Sequence, residues 1–518
     1  MPADRPRSTA LDVRRVGHHP GPRAPPRAGG PPQPERAPHR PGGALQVITL
    51  DALHGLFTRR ELTPREHLDR VLSALRDAAA RTPAHAAVRD YNDDQARRAA
   101  DAATARYASG QALGDFDGIP MVVKDEVDVA GLPTRSGTVY LPAVPAARDA
   151  TAVARLRDAG AVIVGKSVQH ELGLGATGIS PHETRTPRNP HDPNCAPGGS
   201  SSGSAVAVAL GAVPVAVASD GGGSVRIPAS LCGVWGLKPT FGRIPNTGDG
   251  NLDGSVGHLG PIARSVEAME KFLRVTAGDD GRCPVSHGSP PLDLAALDNA
   301  RSRDLKGLRI GVDPNEWADA DPTIAFTCRE ALRTLEKQGA VLRDVSLPLG
   351  RHAGAIGFVT MVTESARGHA EEYRKHRDKM ALDVRLTLAI GRQISAVDHQ
   401  KAQLLRRRLR LQLAALLGEV DLYATPTVAI AAPRVRHRAE RAGEADQAVT
   451  NDLVRFTFLG NLTGLPALTA PVGVQGARLP VGLQLMAKPW DEATLLAAAY
   501  GLERAGCAPP TPAVHVPW

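Results

Sequence analysis

The sequence predicts one large α/β domain whose central sheet is mixed, mostly parallel and covered by helices on both faces. Between residues 119 and 240, short runs rich in β-branched residues alternate with helical stretches, and residues 308–345 repeat the order strand, helix, strand. Strands joined by helices in this way run parallel and are buried on both faces. The chain has 518 residues, of which 42% are hydrophobic, so it is long enough to bury such a core.

The first 45 residues differ in composition from the rest of the chain. They contain eleven prolines and eight arginines but only three acidic residues. Such a segment cannot bury enough apolar surface to offset the entropy lost on ordering. The sequence therefore predicts a disordered Pro/Arg-rich tail over residues 1–45 and a folded domain over residues 46–518.

The same tail explains most of the positive charge of the chain. It contributes +5 of the formal net charge of +8. Nucleic-acid binding needs a basic stripe on a folded surface, interleaved with aromatic residues. Only 3% of the residues are Phe, Trp or Tyr, so no nucleic-acid partner is expected.

The folded part begins with two amphipathic helices, predicted over residues 48–58 and 63–80. Thr63, Pro64 and Glu66 match the N-cap, first helical position and capping box of the second helix. Further helices are predicted at 150–159, 204–210, 323–337, 360–418 and 492–504. Strands are predicted at 120–123, 161–164, 213–218, 308–312, 341–345, 422–424, 467–471 and 481–486.

The sequence indicates neither a membrane anchor nor a disulfide framework. No run of about 18 apolar residues occurs. The five cysteines are odd in number, scattered and without a CxxC pair, which is typical of a reducing compartment and argues against structural zinc. The prediction is a cytoplasmic protein that does not bind membranes.

A segment of small residues precedes a long apolar stretch. Residues 197–204 are Pro-Gly-Gly-Ser-Ser-Ser-Gly-Ser, and the apolar residues 205–217 follow. A flexible linker would be polar on both sides, and a phosphate loop would carry a lysine after its last glycine. The remaining interpretation is a loop whose glycines let backbone and hydroxyl groups crowd together at the start of a buried helix.

Ser224 lies in a second glycine-rich segment, Asp220-Gly-Gly-Gly-Ser-Val-Arg226, directly after the predicted strand 213–218. Three consecutive glycines cost conformational entropy, and close approach of backbone N–H groups to a developing negative oxygen would require them. Ser224 would then be placed as a nucleophile. The alternative is a plain glycine-rich turn. No glycine follows two residues beyond Ser224, so this is not the elbow of the α/β-hydrolases.

A serine nucleophile needs a base. His170, His182 and His191 are nearest in sequence, but their spacing suits neither a metal pair nor a Ser-His-Asp order, so each is expected to be a surface or loop residue. Lys124 directly follows an apolar stretch, and a buried lysine can lose its proton and then accept one. Taken alone, Lys124 is more often a lysine whose amine extends past apolar neighbours to solvent.

Three motifs are distinctive when they are taken together: Gly118-Ile-Pro-Met-Val-Val-Lys124-Asp125, Gly198-Gly199-Ser200-Ser201 and Asp220-Gly-Gly-Gly-Ser-Val-Arg226. They closely resemble the amidase signature family, whose members hydrolyse amides through a serine–cis-serine–lysine triad. Further matching segments, among them Asn461-Leu-Thr-Gly-Leu-Pro-Ala and Leu479-Pro-Val-Gly-Leu-Gln484, extend the resemblance from about Ile48 to Arg504.

The resemblance implies a role for each matching residue. Ser224 would be the nucleophile, Ser200 the bridging serine after a cis peptide bond, and Lys124 the base. Ser200 is neutral and gives Lys124 no compensating negative charge. The oxyanion hole would consist of consecutive backbone N–H groups, those of Gly221, Gly222, Gly223 and Ser224. The residues expected to support this loop without touching substrate are Asp220, Arg226 and Ser201.

One position departs from the family pattern, because family members often carry a larger residue where this chain has Gly221. That departure leaves the set of oxyanion donors open. The chemistry needs no metal and no organic cofactor, and none is expected.

The predicted function is that of an amidase, which hydrolyses a carboxylic amide to acid plus ammonia or amine through an acyl-serine intermediate. The alternative is the glutaminase (A-type) subunit of a tRNA-dependent amidotransferase, whose ammonia passes to a partner protein. Such subunits carry an Ala-Arg-Tyr-Asp-Gly segment where residues 364–369 are Glu-Ser-Ala-Arg-Gly-His. A scaffold without activity would need a broken triad, and all three positions are intact.

The expected partner is a small-molecule amide, and the sequence leaves open whether the protein forms a homodimer. Variable segments shape the substrate pocket in this family. In this chain they correspond to residues 130–140, 171–185, 355–415 and 428–458.

Overall fold

The computed structural model describes residues 49–182, 186–250, 254–443, 446–475, 479–510 and 512. The predicted tail of residues 1–45 lies outside the described residues. The predicted domain over 46–518 is described over the ranges just given.

An eleven-stranded sheet runs through the described part of the chain, in the order β1-β3-β2-β4-β6-β5-β10-β11-β9-β7-β8. Its strands are β1 (Val88–Tyr91), β2 (Pro120–Lys124), β3 (Val162–Ser167), β4 (Val215–Asp220), β5 (Trp235–Lys238), β6 (His258–Ala263), β7 (Arg309–Val312), β8 (Val341–Asp344), β9 (Leu422–Pro426), β10 (Ala467–Gln475) and β11 (Leu479–Ala487).

The structure confirms the mixed α/β sheet but corrects the prediction that it is mostly parallel. Of the ten strand pairings, six are antiparallel and four are parallel. The sequence does not predict β1, β5 and β6. Every pairing that these three strands make is antiparallel, which is why the sheet was predicted to be mostly parallel. Both β5 and β6 contain glycine, and β6 also contains proline, which are depleted from strands, so their sequences do not indicate strands.

The helices of the described residues are α1 (Leu50–Thr58), α2 (Pro64–Ala80), α3 (Asp93–Ser109), α4 (Thr151–Asp158), α5 (Ser202–Ala209), α6 (Arg226–Cys232), α7 (Val266–Thr276), α8 (Leu294–Ala300), α9 (Pro314–Trp317), α10 (Pro322–Glu336), α11 (Ala353–Gly368), α12 (Ala370–His376), α13 (Leu382–Gly391), α14 (Ala396–Glu419), α15 (His437–Ala442), α16 (Gln447–Val454), α17 (Phe458–Thr463) and α18 (Glu492–Arg504). Short 3₁₀ turns occur at Glu171–Gly173, Gly350–His352 and Arg377–Lys379. Among the helices described, none has both the length and the apolar composition to cross a membrane.

The start of α2 forms as the sequence predicts. The Thr63 hydroxyl accepts the N–H of Glu66 at 3.2 Å, and the Glu66 carboxylate accepts the N–H of Thr63 at 2.9 Å. This reciprocal pair satisfies two backbone donors that have no partner within the helix.

Helices cover both faces of the sheet, as predicted. Along β4, Val215 and Val217 belong to one apolar cluster with residues of α4 and α7, whereas Ala216 and Ala218 belong to another with residues of α2 and α5. Successive side chains of a strand point to opposite faces, so these clusters lie on the two sides of the sheet.

The parallel pair β2 and β4 determines where the candidate site lies. The carboxyl ends of parallel neighbours meet at one edge of a sheet, and here β2 ends at Lys124 and β4 at Asp220. The same edge receives the starts of α5 and α6, at Ser202 and Arg226. β3 and β4 lie on opposite sides of β2, so the strand order reverses at this edge, which is a common position for ligand sites in α/β sheets.

Candidate active site

Lys124 is the last residue of β2, and its side chain is completely buried. Its Nζ donates hydrogen bonds to Ser200 Oγ and to Ser219 Oγ, both at 2.7 Å. The structure therefore brings Lys124 and Ser200 together, as the resemblance implies, although they lie 76 positions apart in the chain. The alternative, a lysine whose amine extends to solvent, is wrong.

Ser200 lies just before α5 in a tightly held loop. The peptide bond between Gly199 and Ser200 is cis, as the resemblance implies. The Gly199 N–H donates to Ala176 O at 2.7 Å, and the Ser200 carbonyl accepts the N–H of His170 at 3.0 Å. These backbone contacts hold the Ser200 hydroxyl beside Lys124.

Ser224 lies in the turn between β4 and α6 and is partly exposed, on the same cavity as Ser200 and Ser219. The preceding Gly223 has φ +127°, a conformation that favours glycine. A Cβ on Gly223 would lie 2.5 Å from Thr457 Oγ1, and one on Gly222 would lie 2.8 Å from the Phe458 ring. Both glycines are therefore required by close packing behind the turn.

The backbone donors of this turn are used differently along its length. Gly221 and Gly222 line the cavity, whereas the Gly223 N–H donates to Asp220 Oδ1 at 2.8 Å and is used within the loop. A Cβ built on Gly221 would have no heavy atom within 4 Å. The position at which family members often carry a larger residue is thus open space in this chain.

A buried polar network supports the turn from behind. The Arg226 guanidinium donates to both oxygens of Asp220, at 2.8 and 2.9 Å, and to Asn461 Oδ1 at 2.6 Å and Gln484 Oε1 at 2.7 Å. Burial alone would raise the pKa of Asp220, but the charge of Arg226 and the hydrogen bonds from Arg226 and Asn461 outweigh it and hold this pKa below its usual range.

Ser201 supports the turn from the other side. Its hydroxyl donates to Ser219 O at 3.2 Å, and its N–H donates to Ser224 O at 3.4 Å. Ser201 thus connects the Ser200 loop to the Ser224 turn.

The cavity in front of these residues has a volume of about 370 Å³. Thr134 and Ser136, residues 172–177 and parts of α11, α13, α16 and α17 contribute to its wall and lie in segments predicted to shape the pocket. Leu141, His170 and Gly354 also line the cavity and lie just outside those segments. The large apolar side chains of the wall are Leu141, Leu172, Leu174, Ile227, Val256, Phe358, Met361, Leu386, Ile390, Val454 and Phe458. Its charged side chains include Glu364, Arg367, Glu372 and Asp383.

The family model described as Amidase matches residues 69–496 of the chain. The chain belongs to the amidase signature family. It is 35% identical over 446 residues to a fatty acid amide hydrolase of Oryza sativa subsp. indica, covering 85% of this chain and 73% of that protein. It is 36% identical over 467 residues to an amidase of Pseudomonas putida, covering 89% of this chain and 97% of that protein.

The fold is also similar to that of solved members. The native peptide amidase from Stenotrophomonas maltophilia superposes with a TM-score of 0.76 and 28% sequence identity, covering 90% of this chain and 98% of that chain. The protein is therefore an amidase, an enzyme that hydrolyses amides.

This amidase has a buried carboxylate that the sequence analysis missed. Glu126 Oε1 lies 3.0 Å from Lys124 Nζ and accepts a hydrogen bond from the Ser219 hydroxyl. Its Oε2 accepts from Gln169 Nε2 at 2.9 Å. Lys124 therefore has a compensating negative charge beside it, although its relay partner Ser200 supplies none. The available signal was the position of Glu126, two residues beyond Lys124 in the motif.

The rings of His170, His182 and His191 contact carboxylate or carbonyl oxygens, and no contact described for these three rings is with a serine hydroxyl. His170, His182 and His191 all lie in loops, as expected, but His170 and His191 are buried and do not lie on the surface. His170 Nε2 lies 3.0 Å from Asp383 Oδ2, His182 Nε2 lies 2.9 Å from Glu171 Oε2, and His191 Nε2 lies 3.0 Å from Cys232 O. Of these three, His170 lines the cavity.

Proposed function

We propose that this amidase works through an acyl-enzyme on Ser224, with Ser200 and Lys124 as its proton relay. The observation that carries the proposal is the buried 2.7 Å hydrogen bond between Lys124 Nζ and Ser200 Oγ, on the same cavity as the Ser224 hydroxyl. A serine becomes a nucleophile when a neighbouring base takes its proton, and a buried neutral lysine can be that base.

Each step then follows from the relay. Lys124 takes a proton from Ser200 while Ser200 takes one from Ser224, and Ser224 Oγ attacks the amide carbonyl carbon. The same relay returns a proton to the amine as the C–N bond breaks. Water then attacks the acyl ester, gives its proton to the relay, and releases the acid.

We propose the N–H groups of Gly221, Gly222 and Ser224 as oxyanion donors. Gly221 and Gly222 line the cavity beside the nucleophile, and preorganised backbone donors stabilise the charge that develops in acyl transfer. Gly223 has a structural role instead, since its N–H donates to Asp220 and its positive φ sets the direction of the turn.

We further propose that the preferred substrate is an amide with an apolar acyl group. Leu386 and Ile390 of α13 are 44% and 41% exposed and both line the cavity. Large apolar side chains in contact with water commonly mark a binding surface. The resemblance to a fatty acid amide hydrolase supports the same substrate class.

Replacing the two serines tests the relay. Ser224→Ala is expected to fold and to form no covalent adduct with a serine-directed phosphonate, because the nucleophile is gone. Ser200→Ala keeps the nucleophile but should label and hydrolyse slowly, since the relay is cut. Peptide mapping of the adduct decides between them, and labelling of Ser200 in the wild type would overturn the assignment.

A series of primary amides of increasing acyl length tests the substrate class. Each buried methylene is worth about 0.8 kcal/mol, so kcat/KM should rise about fourfold per methylene until the cavity is filled. Free glutamine serves as the comparison, because the alternative function requires release of its ammonia. A glutamine rate above that of every acyl amide would favour the amidotransferase subunit instead.

The prediction of a cytoplasmic enzyme that acts without nucleic acid or membrane stays a prediction, and the homodimer stays open.

A further inference from the structure

Glu126 is the buried charged group closest to the proposed base. Its side chain is buried, like that of Lys124, and its Oε1 lies 3.0 Å from Nζ. The carboxylate also accepts hydrogen bonds from the Ser219 hydroxyl and from Gln169 Nε2. Three donors therefore point at Glu126. A carboxylate that only accepts is satisfied by this arrangement in its ionised form.

The three polar neighbours of Nζ determine how the N–H groups and the lone pair of a neutral Lys124 are oriented. A neutral amine has two N–H groups and one lone pair, and Nζ has three polar neighbours: Ser200 Oγ, Ser219 Oγ and Glu126 Oε1. Glu126 can only accept. Ser219 gives its own proton to Glu126, so its oxygen also accepts from Nζ. Both N–H groups are then used, and the lone pair is left for the Ser200 hydroxyl.

We propose that Glu126 is a positioning residue for the base, which directs the lone pair of neutral Lys124 at Ser200 and stabilises the ammonium formed when Ser200 gives up its proton. The inference rests on the proposed relay and deepens it. In the step concerned, one proton leaves Ser200 Oγ and binds Nζ. The amine becomes an ammonium paired with the Glu126 carboxylate, and Ser200 is reprotonated by Ser224.

The surrounding charges leave this role to Glu126. The side chains facing Nζ from the loop before α5 and from β4 are the neutral Ser200 and Ser219. The neighbouring acid, Asp125, has its own cations, Arg89 at 3.1 Å and Lys166 at 4.0 Å. Gln169, which also contacts Glu126, carries no charge.

This arrangement has a consequence for the pH dependence of the rate. A carboxylate 3.0 Å from the amine favours the ammonium over the neutral amine, so the pH at which hydrolysis rises should depend on the charge of Glu126. An opposite charge at this distance commonly moves an ionisation by about one to three pH units. Removing the charge should move the midpoint of the rise to lower pH by that amount.

The deciding variant is Glu126→Gln, which keeps the size of the side chain and one acceptor oxygen but removes the charge. With kcat/KM measured from pH 6 to 10, we expect the midpoint to fall by about one to three pH units. The plateau rate should fall by about 10- to 100-fold, because the ammonium formed in the relay is less well stabilised. A merely structural role would lower the rate and leave the midpoint in place.

Two further variants complete the test. Asp125→Asn removes an adjacent buried charge that faces Arg89, so its midpoint should equal that of the wild type. Glu126→Asp keeps the charge but withdraws it from Nζ by one carbon, so its midpoint should lie between those of the wild type and Glu126→Gln. If Glu126→Gln does not fold, the midpoint of Glu126→Asp decides.

A phosphonate label on Ser224 separates the two possible failures. If the wild type is labelled elsewhere, the proposed relay itself fails. If the wild type is labelled at Ser224 and hydrolyses amides, but the Glu126 variants keep its midpoint, the relay stands and the role of Glu126 is overturned.

Discussion

The cavity has a floor, formed by Ser200, Ser219 and the Ser224 turn and supported by Lys124, and a wall on α11, α13 and α16. The two regions differ in their contact with water. Lys124, Ser200 and Ser219 are at most 1% exposed, whereas Leu386 and Ile390 of the wall are more than 40% exposed. Hydrogen bonds with distances near 2.7 Å fix the floor, whereas the wall combines large apolar side chains with polar and charged ones. The difference matches the two roles proposed for these regions, since chemistry requires fixed geometry and substrate choice requires a shape that can vary.

The largest expected effect comes from the floor. Lys124→Ala and Lys124→Arg should both lower kcat/KM by about 10²- to 10⁴-fold, the usual contribution of a general base. Arginine keeps a positive charge beside Glu126, but a guanidinium in a protein cannot be deprotonated. Both variants are measured from pH 6 to 10. An active arginine enzyme would show that the charge of Lys124 matters and its basicity does not.

A wall substitution should change substrate preference and leave the chemistry intact. Ile390→Ala removes apolar surface from the cavity, so kcat/KM for a long-chain acyl amide should fall by about tenfold while that for acetamide stays unchanged. Leu411→Ala is the matched control, because Leu411 is also an exposed aliphatic residue, 64% accessible, but does not line the cavity. Equal losses on both amides would remove the distinction between wall and floor.

The smallest expected effect concerns stability and comes from one buried histidine, His191. His191 contacts the carbonyl of Cys232 in α6, and burial lowers its pKa to about 4. Between about pH 6.5 and pH 4 the unfolded chain binds a proton at this site that the folded chain does not. The contribution of neutral His191 to the free energy of unfolding is therefore complete above about pH 6.5. It falls by about 1.4 kcal/mol per pH unit as the pH drops toward 4.

Thermal unfolding at pH 7.5, 6 and 5 measures this loss. His191→Gln has no proton to bind in that range, so its Tm should fall less steeply with decreasing pH than that of the wild type. Parallel curves for the two proteins would show that His191 is not protonated on unfolding.

The two regions also differ in how far the sequence predicts them. Lys124, Ser200 and Ser224 each lie in a short local motif, so their association with one site could be predicted without a structure. The residues that support the Ser224 turn could not be paired in the same way. Arg226 binds Gln484 across 258 residues, and such contacts exist only after folding. The sequence motifs contained Asn461 and Gln484 but gave neither a partner.

The errors in the sheet have a related cause. The strands β1 and β5 have four residues each, and β6 contains Gly260 and Pro261 in its interior. Too few residues alternate in them to indicate a strand, and neighbouring strands stabilise them instead. Missing these strands removed four of the six antiparallel pairings, and this omission made the sheet seem mostly parallel.

The empty space at Gly221 has a consequence for enzyme engineering. A Cβ at this position would meet no heavy atom within 4 Å, while its neighbours Gly222 and Gly223 would clash at once. A mutagenesis library at residue 221 alone could therefore introduce a side chain next to the proposed oxyanion site, with its Cβ free of clashes. In this amidase, an uncrowded backbone position lies three residues before the proposed nucleophile and lines the cavity, so selectivity and rate could be tuned from one codon.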